Sequence, residues 1–177
     1  YPPVASVVLA YPNAAFKQPL DGFGNLIPRN QGIRTLGTIW SSTLFPGRAP
    51  AGWALLTSYI GGATDREIAE LDKTEIAAAV HKDLQQTLLA PTAPEPKILN
   101  VRLWPQAIPQ YVLGHRDRLQ CLENSLQANP GLYVCTNYLD GVALGDCVQR
   151  AQDRADTVAT YLETTSQPQS PEPAPSA

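Results

Sequence analysis

Residues 64–96 constrain the fold most, because they mark one helix at both ends and stop it hard. Asp72 and Glu75 have capping-box spacing: the first side chain accepts from free amides of the opening turn, and the second reaches back to the cap. Leu71 and Ile76 occupy the flanking staple positions. Ile76, Val80, Leu84 and Leu88 recur at intervals of four, on one face of a helix over 72–89. "APTAPEP" ends it, since proline cannot continue a helix. Thr64 and Glu67 repeat the capping-box spacing upstream. Strand-like segments lie on both sides, so the chain reads as a mixed α/β (α+β) fold.

Those segments are well punctuated. Residues 4–10 read as a buried strand. "DGFGNLIPRNQGIRTLGTIWSS" reads as two strands joined by a loop at Asn30, Gln31 and Gly32. "WALLTSYIGG" is another strand, closed by Gly61 and Gly62, and short connections make these segments neighbours in one sheet. "KILNVRLW" is a strand ending at Trp104, and "PQAIPQY" after it is extended by its prolines. Asp117 is placed to cap a helix carrying Leu119, Leu122 and Leu126, closed by "NPG"; "LYVC" is a short strand. A last helix runs from near residue 142 to about 162, with Ala151, Ala155, Val158, Ala159 and Leu162 on one side. From Thr164 the tail is Ser, Thr, Gln, Pro and Glu, a composition expected to stay disordered.

Several function classes drop out. Net charge is −3 and Lys and Arg form no run, which excludes nucleic acid as the main partner. "VASVVLA" is far too short to span a membrane. Cys121, Cys135 and Cys147 lack the close pairs of a structural zinc site, and no metal is expected; so sparse a use of cysteine suits a reducing compartment. His115-Arg116-Asp117 lacks the rest of a kinase catalytic loop, and His81 reads as a solvated residue on the polar side of the 72–89 helix. No G-x-S-x-G, G-x-G-x-x-G or P-loop occurs. The chain lacks Met and begins inside a strand-like run, "YPPVASVVLAYP", which reads as the C-terminal or processed piece of a longer protein.

Two features point to ligands. Between Asp21 and Asp65 there is no acidic residue, while Arg29, Arg34 and Arg48 give that segment a charge of +3 among Phe23, Leu26, Leu36, Ile39, Trp40, Phe45, Trp53 and Tyr59. On composition this suits a sheet core rimmed by solvated arginines before it suits a flat apolar ligand bearing carboxylates. In "NYLDGVALGDCVQRA", Gly141 and Gly145 bracket Val142, Ala143 and Leu144 at a helix start. Bare amides there can receive an electron-rich ligand edge, or the glycines can serve a tight helix–sheet contact.

The series "YPPVASVVLAYP", "GFGNLIPRNQGIRTLGTIWSSTLFPGRAP", "SYIGG", "RLWPQAIPQY" and "NYLDGVALGDCV" resembles the C-terminal third of the protoporphyrinogen oxidases of plants and cyanobacteria, members of the FAD-dependent amine-oxidase-like superfamily. The resemblance covers residues 1 to about 163. It implies a fragment of an FAD/NAD(P)-binding flavoprotein oxidase, with part of a mixed-sheet substrate domain over 1–103, a return to the FAD domain over 104–163, and a tail over 164–177. It implies oxidation of protoporphyrinogen IX to protoporphyrin IX with FAD and oxygen, in haem and chlorophyll biosynthesis. Leu26, Ile39 and Tyr59 match substrate-contacting positions, Trp104 a residue lying against the flavin, and Val142, Ala143 and Leu144 the backbone stretch that meets the isoalloxazine. No residue here matches a catalytic acid or base. The implied partners are the substrate and the N-terminal part of the same enzyme, with peripheral membrane contact and a homodimer both allowed, in a plastid or a cytoplasm. Cys135 and Thr136 stand where the family has two glycines or Ala-Gly, and Arg150 where a small residue is usual. These departures favour the alternative, a non-catalytic tetrapyrrole-binding or interaction module with the same fold.

Overall fold

The structure is a computed structural model that describes residues 1–139 and 141–166. The chain divides into two compact units, Tyr1–Ile108 and Pro109–Ala177, and each is described by itself.

The first unit is built on a five-stranded antiparallel sheet. Its strands are β1 (Val4–Pro12), β2 (Gly24–Leu26), β3 (Thr35–Ile39), β4 (Trp53–Gly61) and β5 (Lys97–Trp104), in the order β2-β3-β4-β1-β5. Side chains alternate across a strand, and β1 follows that rule: Ala5, Val7, Leu9 and Tyr11 are fully buried, while Val4, Ser6 and Val8 are half-buried. β4 repeats the pattern, with Leu56, Ser58 and Ile60 buried and Leu55 and Thr57 half-buried. One face of the sheet is therefore closed and the other is open. A short helix α1 (Ser41–Leu44) follows β3.

Helix α2 (Lys73–Thr87) closes the buried face with Ile76, Ala77, Val80 and Leu84. Each large aliphatic side chain buried there contributes about 1.5–3 kcal/mol. The expected capping box is formed. The Asp72 carboxylate accepts from the amides of Thr74 (2.7 Å) and Glu75 (2.8 Å), and Glu75 accepts from the Asp72 amide at 2.8 Å. The one expected at Thr64 and Glu67 is not: Arg66–Glu70 is a 3-10 turn after Asp65 with no side-chain cap. The Asp65 carboxylate is held by the Arg34 guanidinium instead, at 2.9 and 2.8 Å.

His81 corrects a second expectation. It is only 7% exposed, with Nδ1 2.8 Å from the Tyr11 hydroxyl and Nε2 3.5 Å from Glu95. The proline-rich stretch after α2 turns back beside the helix, tied by the Ala90 amide to the Ala15 carbonyl at 2.8 Å and by a bridge between Phe16 and Leu89. It covers flank that a four-residue stripe leaves open. Asp83 is also buried, and its Oδ2 accepts from the Arg34 amide (3.1 Å), the Thr35 amide (2.7 Å) and the Thr35 hydroxyl (2.7 Å). That carboxylate fixes the start of β3 against α2.

The second unit contains α3 (His115–Gln127) and α4 (Leu144–Ser166). Gly114, at φ 78°, caps α3, so Asp117 lies in its first turn rather than at the cap. Residues 132–135 form no strand, because a strand needs a neighbour to share its ladder and none of the described strands pairs with them. Tyr161 of α4 packs edge-on to Tyr133, 6.0 Å between centroids, over Gly131. Neither helix buries a residue among those described. Helix α4 includes residues 164–166, where the disordered tail was expected to begin; residues 167–177 lie outside the described residues.

Candidate functional site

The open face of the sheet carries an apolar depression of about 310 Å³ lined by Phe23, Leu26, Leu36, Ile39 and Tyr59. Strand register puts these residues together. Leu26 pairs with Gly37, Gly37 with Tyr59, and Tyr59 with Ser6, which pairs with Arg102. The next row on the same face is Gly24, Ile39, Thr57 and Val8. A register shift between Thr35 and Gly37 brings Gly37, rather than Leu36, opposite Tyr59.

Gly37 is required by space. A Cβ there would stand 2.7 Å from the Asn25 carbonyl oxygen and 2.9 Å from Leu26 Cδ2. Leu26 therefore lies over bare backbone, and no side chain of β3 rises between it and Tyr59. Large apolar groups at the rim stay in water: Leu26 is 89% exposed and Phe23 67%. So concentrated an exposed apolar patch marks a ligand or partner surface. The lining contains no carboxylate, histidine, lysine or arginine, and its one ionisable side chain is the Tyr59 phenol, so the seat is built to bind and orient a flat apolar body. Asn25 and Thr38 also border the depression, but their side chains alternate toward the closed face, where Thr38 Oγ1 meets Ser58 Oγ at 2.9 Å.

Trp104 stands on the same open face, at the end of β5 opposite Val4, which in turn faces Gly61. Its indole is half-exposed, with the Arg102 guanidinium 5.9 Å from the ring centroid. Of the three arginines in the acid-free segment, Arg34 is occupied by Asp65, whose hydrogen bond, opposed by burial, raises its pKa above the ordinary arginine value. Arg48 lies 5.0 Å over the Phe45 ring. Arg29 is exposed and makes no ion pair among the described residues.

The remaining expected residues belong to the second unit. Helix α4 starts at Leu144, two residues later than expected, so Val142 and Ala143 form the lead-in; the Ala143 carbonyl accepts from the Cys147 amide at 3.1 Å. Val142 is 44% exposed and Leu144 81% exposed. Gly141 has a left-handed φ of 72°, and a Cβ there would meet the Asp146 side chain at 2.5 Å. Its tight contact is thus with Asp146, an acid in the first turn of α4 and so a helix-start signal legible in the sequence. A Cβ at Gly145 would meet nothing within 4 Å. Cys135, Thr136 and Arg150, the departures from the family pattern, line one cavity of about 220 Å³ with Asp153 and Arg154. Among the described residues no cluster of His, Cys, Asp and Glu could hold a metal ion, and no helix is long and apolar enough to cross a membrane.

Residues 1–159 match the model of the family described as flavin containing amine oxidoreductase. The chain is 47% identical over 170 residues to the chloroplastic protoporphyrinogen oxidase of Oryza sativa subsp. japonica, covering 92% of this chain and 32% of that protein. It is 31% identical over 160 residues to the coproporphyrinogen III oxidase of Bacillus subtilis (strain 168), covering 90% of this chain and 34% of that one. A crystal structure from Exiguobacterium sp. 255-15, assigned to the protoporphyrinogen oxidases, superposes with a TM-score of 0.68 at 22% identity, covering 91% of this chain and 35% of that one, which establishes likeness of fold. The chain spans about a third of the length of these relatives. With a family model that runs through both units, the chain belongs to the flavin-containing amine oxidoreductases.

Proposed function

We propose that this chain forms the C-terminal part of an oxidase that converts protoporphyrinogen IX to protoporphyrin IX with FAD and oxygen, on the route to haem and chlorophyll. The observation that carries the reading is the flat apolar seat formed by Leu26, Gly37, Ile39 and Tyr59 on the open sheet face, in a chain 47% identical to a plant protoporphyrinogen oxidase. Leu26 and Ile39 contact the tetrapyrrole from the open face of the sheet, and Tyr59 faces it. Binding here is by apolar burial, worth about 25 cal/mol per Å² removed from water.

Two local features fit a flavin. Trp104 presents a half-exposed ring on the substrate face, and the backbone at Ala143, Leu144 and Gly145 begins a helix whose first amides lack intrahelical partners, with open space at Gly145. Within the first unit, Trp104 is the residue suited to lie against an isoalloxazine; within the second, the backbone of Val142, Ala143 and Leu144 is the stretch suited to meet one. A bound FAD supplies the two-electron oxidation; these residues place it and hold water away. The positive end of α4 favours electron density at its start, reduced by the Asp146 carboxylate in the first turn. We place the activity in a plastid or a bacterial cytoplasm.

The test is to join the chain to the N-terminal part of the rice oxidase and measure flavin absorbance and protoporphyrin fluorescence. The reading predicts bound FAD and turnover. A folded hybrid with neither contradicts it. A second reading, a non-catalytic tetrapyrrole-binding module, is favoured by Cys135, Thr136 and Arg150 lining one cleft; it predicts porphyrin binding without turnover.

A further inference from the structure

Beside the ring seat lies a second depression, also about 310 Å³, walled by Ile27, Pro28, Arg29, Arg34, Leu36 and Asp65, among others. The two share Leu36 in their walls, so a body resting on Leu26 and Tyr59 has the second depression beside it. Its charge is unequally committed. Asp65, the carboxylate in its wall, accepts from two of the guanidinium nitrogens of Arg34, Nε and Nη2. Arg29 is exposed, on a loop whose turn is set by left-handed Asn30 (φ 66°) and Gly32 (φ 71°). With Arg34 and Asp65 cancelling each other, Arg29 leaves the depression with a net positive charge.

We propose that Arg29 binds a carboxylate carried on the periphery of the tetrapyrrole seated on the apolar floor. This rests on the ring-seat reading above and adds to it the group that orients the ring. A guanidinium suits the task because its planar fork can donate two parallel hydrogen bonds to one carboxylate. A macrocycle without carboxylates would keep the apolar contact and lose its orientation.

The experiment is a fluorescence-quenching titration of the 177-residue chain with protoporphyrin IX and, separately, with its dimethyl ester, which keeps the ring and masks both acids. Wild type is expected to bind the acid more tightly than the ester. Arg29→Glu should weaken the acid by about tenfold and leave the ester within about twofold. Arg29→Lys should restore most of the loss, and Arg48→Glu, the same charge change at the Phe45 contact, should alter neither. The proposal is overturned if Arg29→Glu changes nothing, weakens acid and ester alike, or acts no more strongly than Arg48→Glu. Equal binding of acid and ester by wild type overturns it while leaving the ring seat standing. Failure of both probes to bind overturns the ring seat and the proposal with it.

Discussion

Replacing Asp83 tests how the seat is held in place. Its Oδ2 is the acceptor for the Arg34 amide, the Thr35 amide and the Thr35 hydroxyl, and the residue is 5% exposed. Asp83→Ala removes all three acceptor contacts. The Thr35 amide is buried and would lose this acceptor, the Arg34 amide is part-buried, and the hydroxyl can rotate. A buried donor left unpaired costs about 1–3 kcal/mol and a bond to a charged group contributes about 1.5–3, so the three together come to about 3 kcal/mol. Asp83→Asn keeps one carbonyl oxygen in place and loses only the charge assistance, about 1 kcal/mol. With a urea slope of about 2 kcal/mol/M, the midpoint should fall by about 1.5 M for alanine and about 0.5 M for asparagine. Thr35→Val in the Asp83→Ala background should add little, because the shared interaction is already gone. Equal midpoints for Asp83→Ala and wild type, or full additivity of the two substitutions, would refute the claim that this carboxylate ties β3 to α2.

Gly37→Val puts carbon where the Asn25 carbonyl and Leu26 Cδ2 already stand, so it should destabilise by about 1–3 kcal/mol and weaken protoporphyrin binding beyond that loss, read by urea denaturation and fluorescence titration. Burial, with a smaller contribution from the Glu95 charge, raises the Tyr11 pKa far above the ordinary tyrosine range. The fold keeps this phenol protonated while the unfolded chain ionises near pH 10, so its stabilising effect is full below about pH 10 and is lost progressively as pH rises beyond it. Tyr11→Phe should flatten that alkaline slope and cost about 1 kcal/mol at neutral pH by removing the contact to His81, as measured by thermal melts across pH.

Local signals in the chain were legible where one segment decides its own structure. The Asp72–Glu75 box forms because all its partners lie within three residues. The strands at Val4–Pro12 and Trp53–Gly61 follow from their apolar runs and flanking glycines and prolines. Partners distant in sequence were not legible. His81 reads as solvated until Tyr11, 70 residues away, and the returning 90–96 stretch enclose it. The three arginines look alike until Asp65 engages one and the Phe45 ring another. "LYVC" has strand composition, but composition supplies no ladder partner. At the site, the acid-free apolar segment held Leu26, Ile39 and Tyr59 among other large apolar residues, and only the family resemblance separated these three from the rest. Their meeting depends on the register shift at Thr35 and Gly37, and the role of Gly37 as floor followed only from that register.

The central claim is that the open face of the sheet, and not the face covered by α2, receives a tetrapyrrole. Methyl-selective NMR of the chain during addition of protoporphyrin IX measures this directly, because the porphyrin ring current shifts protons stacked against it. The account predicts large upfield shifts for the methyls of Leu26 and Ile39 and for the Tyr59 ring, with Leu56, Val80 and Leu84 on the closed side unmoved. Shifts confined to the closed side, or a spectrum unchanged at saturating porphyrin, would contradict it.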